Sequence, residues 1–162
     1  MGRHKAVVNV SASLLPEDFK TSVGSSMVYN LNDGAGDNCK WVQYGANIGT
    51  SSEVIIQTGV AYLAGDTGSV TGSVVQANDK IEFVLLKHSG FLADGVTKTT
   101  NKIYFNWDHG VAAAAATGNL ILEAGDVWAA KLAGTPDCED LTAIAATAGV
   151  KLLVYAVLDD DS

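Results

Sequence analysis

Side chains capable of acid–base or metal chemistry are few in this chain, and the best candidates lie around two of its three histidines. His109 follows Asp108 at the end of a predicted strand, and His88 follows another. Imidazole and carboxylate groups together can bind zinc or transfer protons. Adjacent residues of an extended strand lie on opposite faces, however, so Asp108 and His109 would not converge. The sequence also has no GxSxG elbow, Walker A loop or HExxH motif. We therefore predict a solvated loop here and a protein that is not an enzyme.

Metal and thiol chemistry have equally little support. Residues 33–37 resemble a calcium loop in composition but lack the EF-hand spacing and its closing glutamate. Cys39 and Cys138 fit neither a zinc pattern nor a CxxC motif. We interpret them as free thiols; a disulfide would require the fold to bring them together. No metal and no cofactor are predicted.

Aromatic side chains are the remaining candidates for ligand binding. Trp107 and Trp128 alternate with apolar residues along their predicted strands, which is typical of core positions. Trp41 lies beside a Gly/Asp-rich loop and near Tyr44, so these two could stack on a ligand such as a sugar.

The charged termini suggest a docking role. Arg3, His4 and Lys5 form a basic head, and residues 159–161 form an acidic tail. Ten basic against 18 acidic residues give a net charge of −8, so the basic head could dock on an acidic neighbouring surface. The alternative is a solvated terminus. Because the chain is acidic and has a single arginine, we predict no binding to nucleic acid or membranes.

The composition predicts a folded domain that buries apolar surface against other chains. Of 162 residues, 48% are hydrophobic and only 17% are charged. Seventeen glycines and two prolines separate short runs rich in Val, Ile and aromatic residues, which is typical of strands joined by tight turns. We predict an all-β antiparallel sandwich of the jelly-roll type over residues 27–162, with an irregular N-terminal arm over residues 1–26 and at most two short helices.

Particular strands follow from their alternation. A run at 81–87 is apolar on both faces, as expected for a strand buried on both sides or covered by a neighbouring subunit. The runs at 120–123 and 127–132 flank a three-residue loop and predict a hairpin. Residues 53–63 could form one bent strand. Residues 111–117 have helical propensity, and residues 140–148 favour a strand over a helix.

The whole pattern resembles that of capsid decoration (cement) proteins of tailed bacteriophages. The resemblance covers the N-terminal arm, the low-charge strands rich in Gly, Ala, Thr and Val, and the runs at 120–132 and 150–159. It implies a non-enzymatic protein on the virion surface, commonly trimeric, that binds the major capsid protein and stabilises the shell. The alternative is a sandwich module that binds a glycan or receptor.

Overall fold

A computed structural model describes residues 5–14, 21–30, 40–59, 61–64, 70–108, 112–132 and 136–159. These residues are mostly strands joined by turns, with one 3₁₀ helix at Cys138–Asp140. The strands are β1 (Lys5–Leu14), β2 (Thr21–Asn30), β3 (Lys40–Ile48), β4 (Glu53–Val54), β5 (Ala61–Ala64), β6 (Val70–Val74), β7 (Lys80–Leu92), β8 (Ile103–Asn106), β9 (Leu120–Leu122), β10 (Val127–Lys131), β11 (Thr142–Ala145) and β12 (Val150–Asp159).

The strands form three antiparallel sheets. One has six strands in the order β10-β7-β12-β3-β5-β6, and one has four in the order β4-β11-β8-β9. The third is a ribbon of β1 and β2. The predicted all-β antiparallel class is confirmed, and jelly-roll connectivity stays a prediction.

A single apolar core lies between the six-stranded and four-stranded sheets. From the six-stranded sheet, β7 and β12 contribute Leu86 and Val154, which are neighbours in register. From the four-stranded sheet, β8 and β11 contribute Phe105 and Ala143, which are also neighbours. Alternate residues of each strand therefore meet in the middle, as in a two-layer sandwich.

A bulge in β7 explains why this strand is apolar on both faces. Val157 pairs with Phe83, whereas Leu158 pairs with Ile81, so β7 has one residue more than β12 in this interval, namely Glu82. Such a bulge shifts the alternation. Ile81 belongs to the core, while Phe83 and Val157 are 5% and 0% exposed outside the core cluster.

The predicted hairpin at residues 120–132 has the right turn but the wrong pairing. Backbone and side-chain bonds between Glu123 and Asp126, both 2.9 Å, close the turn. β9 then pairs with β8 in the four-stranded sheet, and β10 pairs with β7 in the six-stranded sheet. The amide of Gly125 donates to the carbonyl of His88. The amide of His88 donates in turn to the carbonyl of Asp126. These bonds hold the turn against β7, so it connects the two layers.

Three further expectations can be compared with the structure. Residues 5–14 and 21–30 form regular paired strands, which differs from the irregular arm expected over residues 1–26. The possible bent strand at 53–63 is instead β4 and β5, which belong to different sheets. Residues 140–148 contain β11 and no α-helix, as favoured, and the described residues 112–117 are not helical.

Gly118 provides a test of the packing between the 112–119 loop and β8. A Cβ atom at this position would lie 2.8 Å from the carbonyl oxygen and 2.9 Å from the nitrogen of Phe105. Both are backbone atoms, so they cannot rotate away. We expect Gly118→Ala to lower the free energy of unfolding by about 1–3 kcal/mol, measured by urea denaturation. Ala115→Ser, at an exposed position of the same loop, is the control and should change it by less than about 0.5 kcal/mol. Equal stability of the two variants would contradict this packing.

Candidate functional site

Tyr44 is part of the sandwich interior. Its hydroxyl donates to the carbonyl of Ile55 and accepts the amide proton of Gln57 at 2.9 Å. Burial raises the pKa of Tyr44 to about 12; the bond from Gln57 opposes this rise, and the Cys138 thiol adds to it. Tyr44 thus ties β3 to the segment after β4, and its polar group is occupied.

Trp41 and Tyr44 lie on opposite faces of β3. Position 41 pairs with Val157, whereas position 44 pairs with Val154. Val154 belongs to the core face and Val157 to the opposite one. Residues separated by an odd number alternate between the faces of a strand; the stacking role of Trp41 and Tyr44 stays a prediction.

His88 is buried with both ring nitrogens in use. Nε2 lies 2.8 Å from the carbonyl oxygen of Asn101, which can only accept, so Nε2 carries the proton. Nδ1 accepts the amide proton of Gly90 at 2.9 Å. The ring therefore closes the end of β7 through main-chain bonds.

The structure also separates His88 from Asp108. Asn101, the partner of His88, precedes β8, and the exposed Asp108 follows it. β8 alone spans about 13 Å. His109 lies outside the described residues. The separation explains why His88 and Asp108, which the sequence analysis considered together, do not form one site.

The buried carboxylates support turns. Asp79 accepts the amide proton of Gln76, and Asp140 accepts that of Asp137, both at 2.9 Å. Asp137 also forms an ion pair with Lys80. Within the described residues, no three His, Cys, Asp or Glu side chains form a group that could hold a metal.

The other predicted positions are only partly covered by the structure. Lys5 begins β1, opposite Asn30; Arg3 and His4 lie outside the described residues, as do residues 33–37 and Cys39. Cys138 is buried and forms no disulfide with a described residue. Docking of the basic head remains a prediction.

A tryptophan pair is the feature that reading the sequence missed. Trp107 follows β8 and Trp128 lies in β10, yet their ring centroids are 4.8 Å apart, with the planes tilted by 45°. Both rings are half-buried and pack against the core. Their core-like alternation was correctly recognised. Their contact was not, because it depends on β8 and β10 belonging to facing sheets.

The outer face of the six-stranded sheet is the second notable surface. Opposite the core, β7, β10 and β12 carry an outer apolar face made of Leu85, Val127, Ala129, Leu153 and Tyr155. Phe83 and Val157 lie on the same side of the sheet but are already buried within the chain. Tyr155 is 37% and Val127 is 55% exposed. Two exposed lysines lie on this same side: Lys87, between Val127 and Leu153 in register, and Lys131, beside Phe83.

Comparison with known protein families, curated proteins and solved structures finds no match for this chain. In the described residues, no helix is long and apolar enough to cross a bilayer. Function must therefore be argued from the surfaces above.

Tyr44 gives a pH-dependent test of the site geometry. Tyr44→Phe leaves the Ile55 carbonyl and Gln57 amide without their hydroxyl partner, so we expect a loss of about 1–2 kcal/mol at pH 7. The pKa of Tyr44 is raised in the folded state, so its contribution is complete below about pH 10 and is lost as the pH rises towards 12. Denaturant unfolding of both proteins from pH 7 to 12 should show their stability difference shrinking above pH 10. A difference that stays constant to pH 12 would contradict the buried, bonded hydroxyl.

Proposed function

We propose that this protein is a structural component of a tailed-phage head: a trimeric jelly-roll sandwich that binds the major capsid protein on the capsid surface and stabilises the shell. The outer apolar face is the observation that best supports this role. This face exposes Val127 and Tyr155 and leaves Leu85 half-buried beside them. Covering these apolar side chains with another chain would be favourable, because it removes apolar surface from water. Binding to assembled shell but not to unfolded or free subunits would then stabilise the assembly by linkage.

Charge favours a ring of copies over a face-to-face dimer. Lys87 lies on the outer apolar face of a protein with net charge −8. A two-fold dimer through this face would bring the lysines of both copies together. In a head-to-tail contact Lys87 would instead meet a different surface of the next copy, which the net charge of −8 favours being acidic, and three such contacts can close into a trimer.

The β1–β2 ribbon suits contact with the shell. Among the described strands, it is paired with neither sandwich sheet. Its register pairs apolar positions with each other, including Val8 with Met27 and Ala12 with Val23. An isolated two-stranded ribbon is marginally stable in water, so this ribbon is expected to gain stability from a packing partner. The basic head, ending at Lys5 where β1 begins, would direct it to an acidic shell surface.

Oligomeric state tests the outer apolar face. Tyr155→Glu introduces a negative charge into this face, so we expect the trimer to dissociate to monomer in sedimentation-velocity experiments at micromolar concentration. Ile121→Glu is the matched control, because Ile121 is 44% exposed on the four-stranded sheet; it should leave the trimer intact. A wild-type chain that sediments as a monomer, or equal dissociation by both variants, would overturn the proposed interface.

Capsid binding tests the basic head. The triple variant Arg3→Gln, His4→Gln and Lys5→Gln lowers the formal net charge by two, as does the control Lys98→Glu. On expanded heads of the major capsid protein from the same phage genome, we expect the triple variant to raise Kd about 5-fold, which is about 1 kcal/mol. The control should bind like wild type. Unchanged binding of the triple variant would refute docking through the head.

A second candidate function, binding of a glycan or receptor by the sandwich, is favoured by the tryptophan pair. The structure draws attention to a different place from the Trp41–Tyr44 position considered from the sequence. The nature of the ligand is argued below.

A further inference from the structure

We propose that Trp107 and Trp128 form a binding platform for a neutral saccharide, a function separate from attachment to a capsid. Their rings contact each other with centroids 4.8 Å apart, and both are half-buried at the edge of the sandwich. β10 is the edge strand of its sheet, so no further strand continues the sheet beyond Trp128 among the described residues. The C–H face of a pyranose ring is an apolar surface that can pack on such exposed indole edges and faces.

The indole nitrogens supply the second observation. Buried or half-buried tryptophans usually donate their N–H to a protein acceptor. Among the residues that the structure describes, no hydrogen bond joins the Nε1 of Trp107 or Trp128 to an acceptor. A hydroxyl oxygen of a ligand could therefore accept from either indole N–H. A purely apolar ligand would leave both unsatisfied, whereas hydroxyl oxygens of a sugar would accept from them.

Electrostatics selects a neutral sugar. The chain has a net charge of −8, and the exposed Asp108 follows Trp107 directly. A phosphate, a nucleic acid strand or a sialylated glycan would be repelled by this charge. Neutral hexoses and N-acetylhexosamines carry the required hydroxyl acceptors without that cost.

The platform is held in place by Asn106. Its Oδ1 accepts the amide protons of Trp107 at 2.8 Å and Asp108 at 3.2 Å, and also accepts from Nδ2 of Asn119 at 2.8 Å. One carboxamide oxygen therefore fixes the backbone on which Trp107 sits and joins it to the segment before β9. A pre-organised platform loses less conformational freedom on binding, which matters for a small ligand.

Binding can be observed directly on the indole groups of the full-length protein. A ¹⁵N-labelled sample is titrated with maltohexaose, cellohexaose or chitohexaose, with sialyllactose as the anionic comparison, up to about 10 mM. Three tryptophans give three indole N–H signals, assigned with Trp→Phe variants. For at least one neutral oligomer, we expect the signals of Trp107 and Trp128 to shift with a saturable concentration dependence, while that of Trp41 stays in place.

Variants then test whether the pair carries the affinity. Trp107→Phe and Trp128→Phe keep an aromatic ring on the core but remove an N–H donor, and each should weaken binding at least about 10-fold. Trp41→Phe is the matched control and should bind like wild type, with the folded state of all three checked by their unfolding midpoints. Any of three results would overturn the proposal: no shift with any neutral oligomer, a response to sialyllactose alone, or unchanged affinity in both platform variants. None of them bears on the trimer or on capsid attachment.

Discussion

The antiparallel pairing of β7 with β12 is the interaction on which the rest of this molecule depends. These two strands are the second and third of the six-stranded sheet. β10 pairs with the free edge of β7, and β3 pairs with the free edge of β12. Their register places Leu86 beside Val154 and Val84 beside Ala156, and all four side chains are buried in the core. The four-stranded sheet packs on this surface. Without this pairing, the inner sides of both sheets would have no common core to fill.

The bulge at Glu82 decides which apolar side chains of β7 lie on each side of the sheet. Because β7 has an extra residue there, Ile81 returns to the core while Phe83 remains on the outer face beside Val157. The same sheet is therefore apolar on both sides near this point, and Phe83 and Val157 are buried within the chain itself. The loop after β9 depends on the same strand, since His88 exchanges main-chain bonds with Gly125 and Asp126. It leads directly into β10, where Trp128 meets Trp107.

Some side chains that could do chemistry are instead used to close the structure. Imidazole, phenol and carboxylate groups were the natural candidates for a reactive site, yet His88, Tyr44 and Asp79 each satisfy main-chain groups at strand ends or turns. Such groups are costly to leave unpaired in an interior, so their bonds stabilise turns that glycine-rich connections hold only loosely. The half-buried tryptophan pair differs from them, because it has polar groups directed to no acceptor in the described chain.

The alternation of residues along the chain determined most of the strands, their buried faces and the all-β class. Alternation is a local property, since each side chain points away from its neighbours in a strand, and so β8, β11 and β12 could be recognised without the fold. Only the tertiary structure decided which strands pair. The turn after β9 is local and was predicted correctly, but the choice of β8 and β7 as partners depends on residues distant in the sequence. For the same reason, the meeting of Trp107 with Trp128 could not be read from spacing, because it depends on how the two sheets pack.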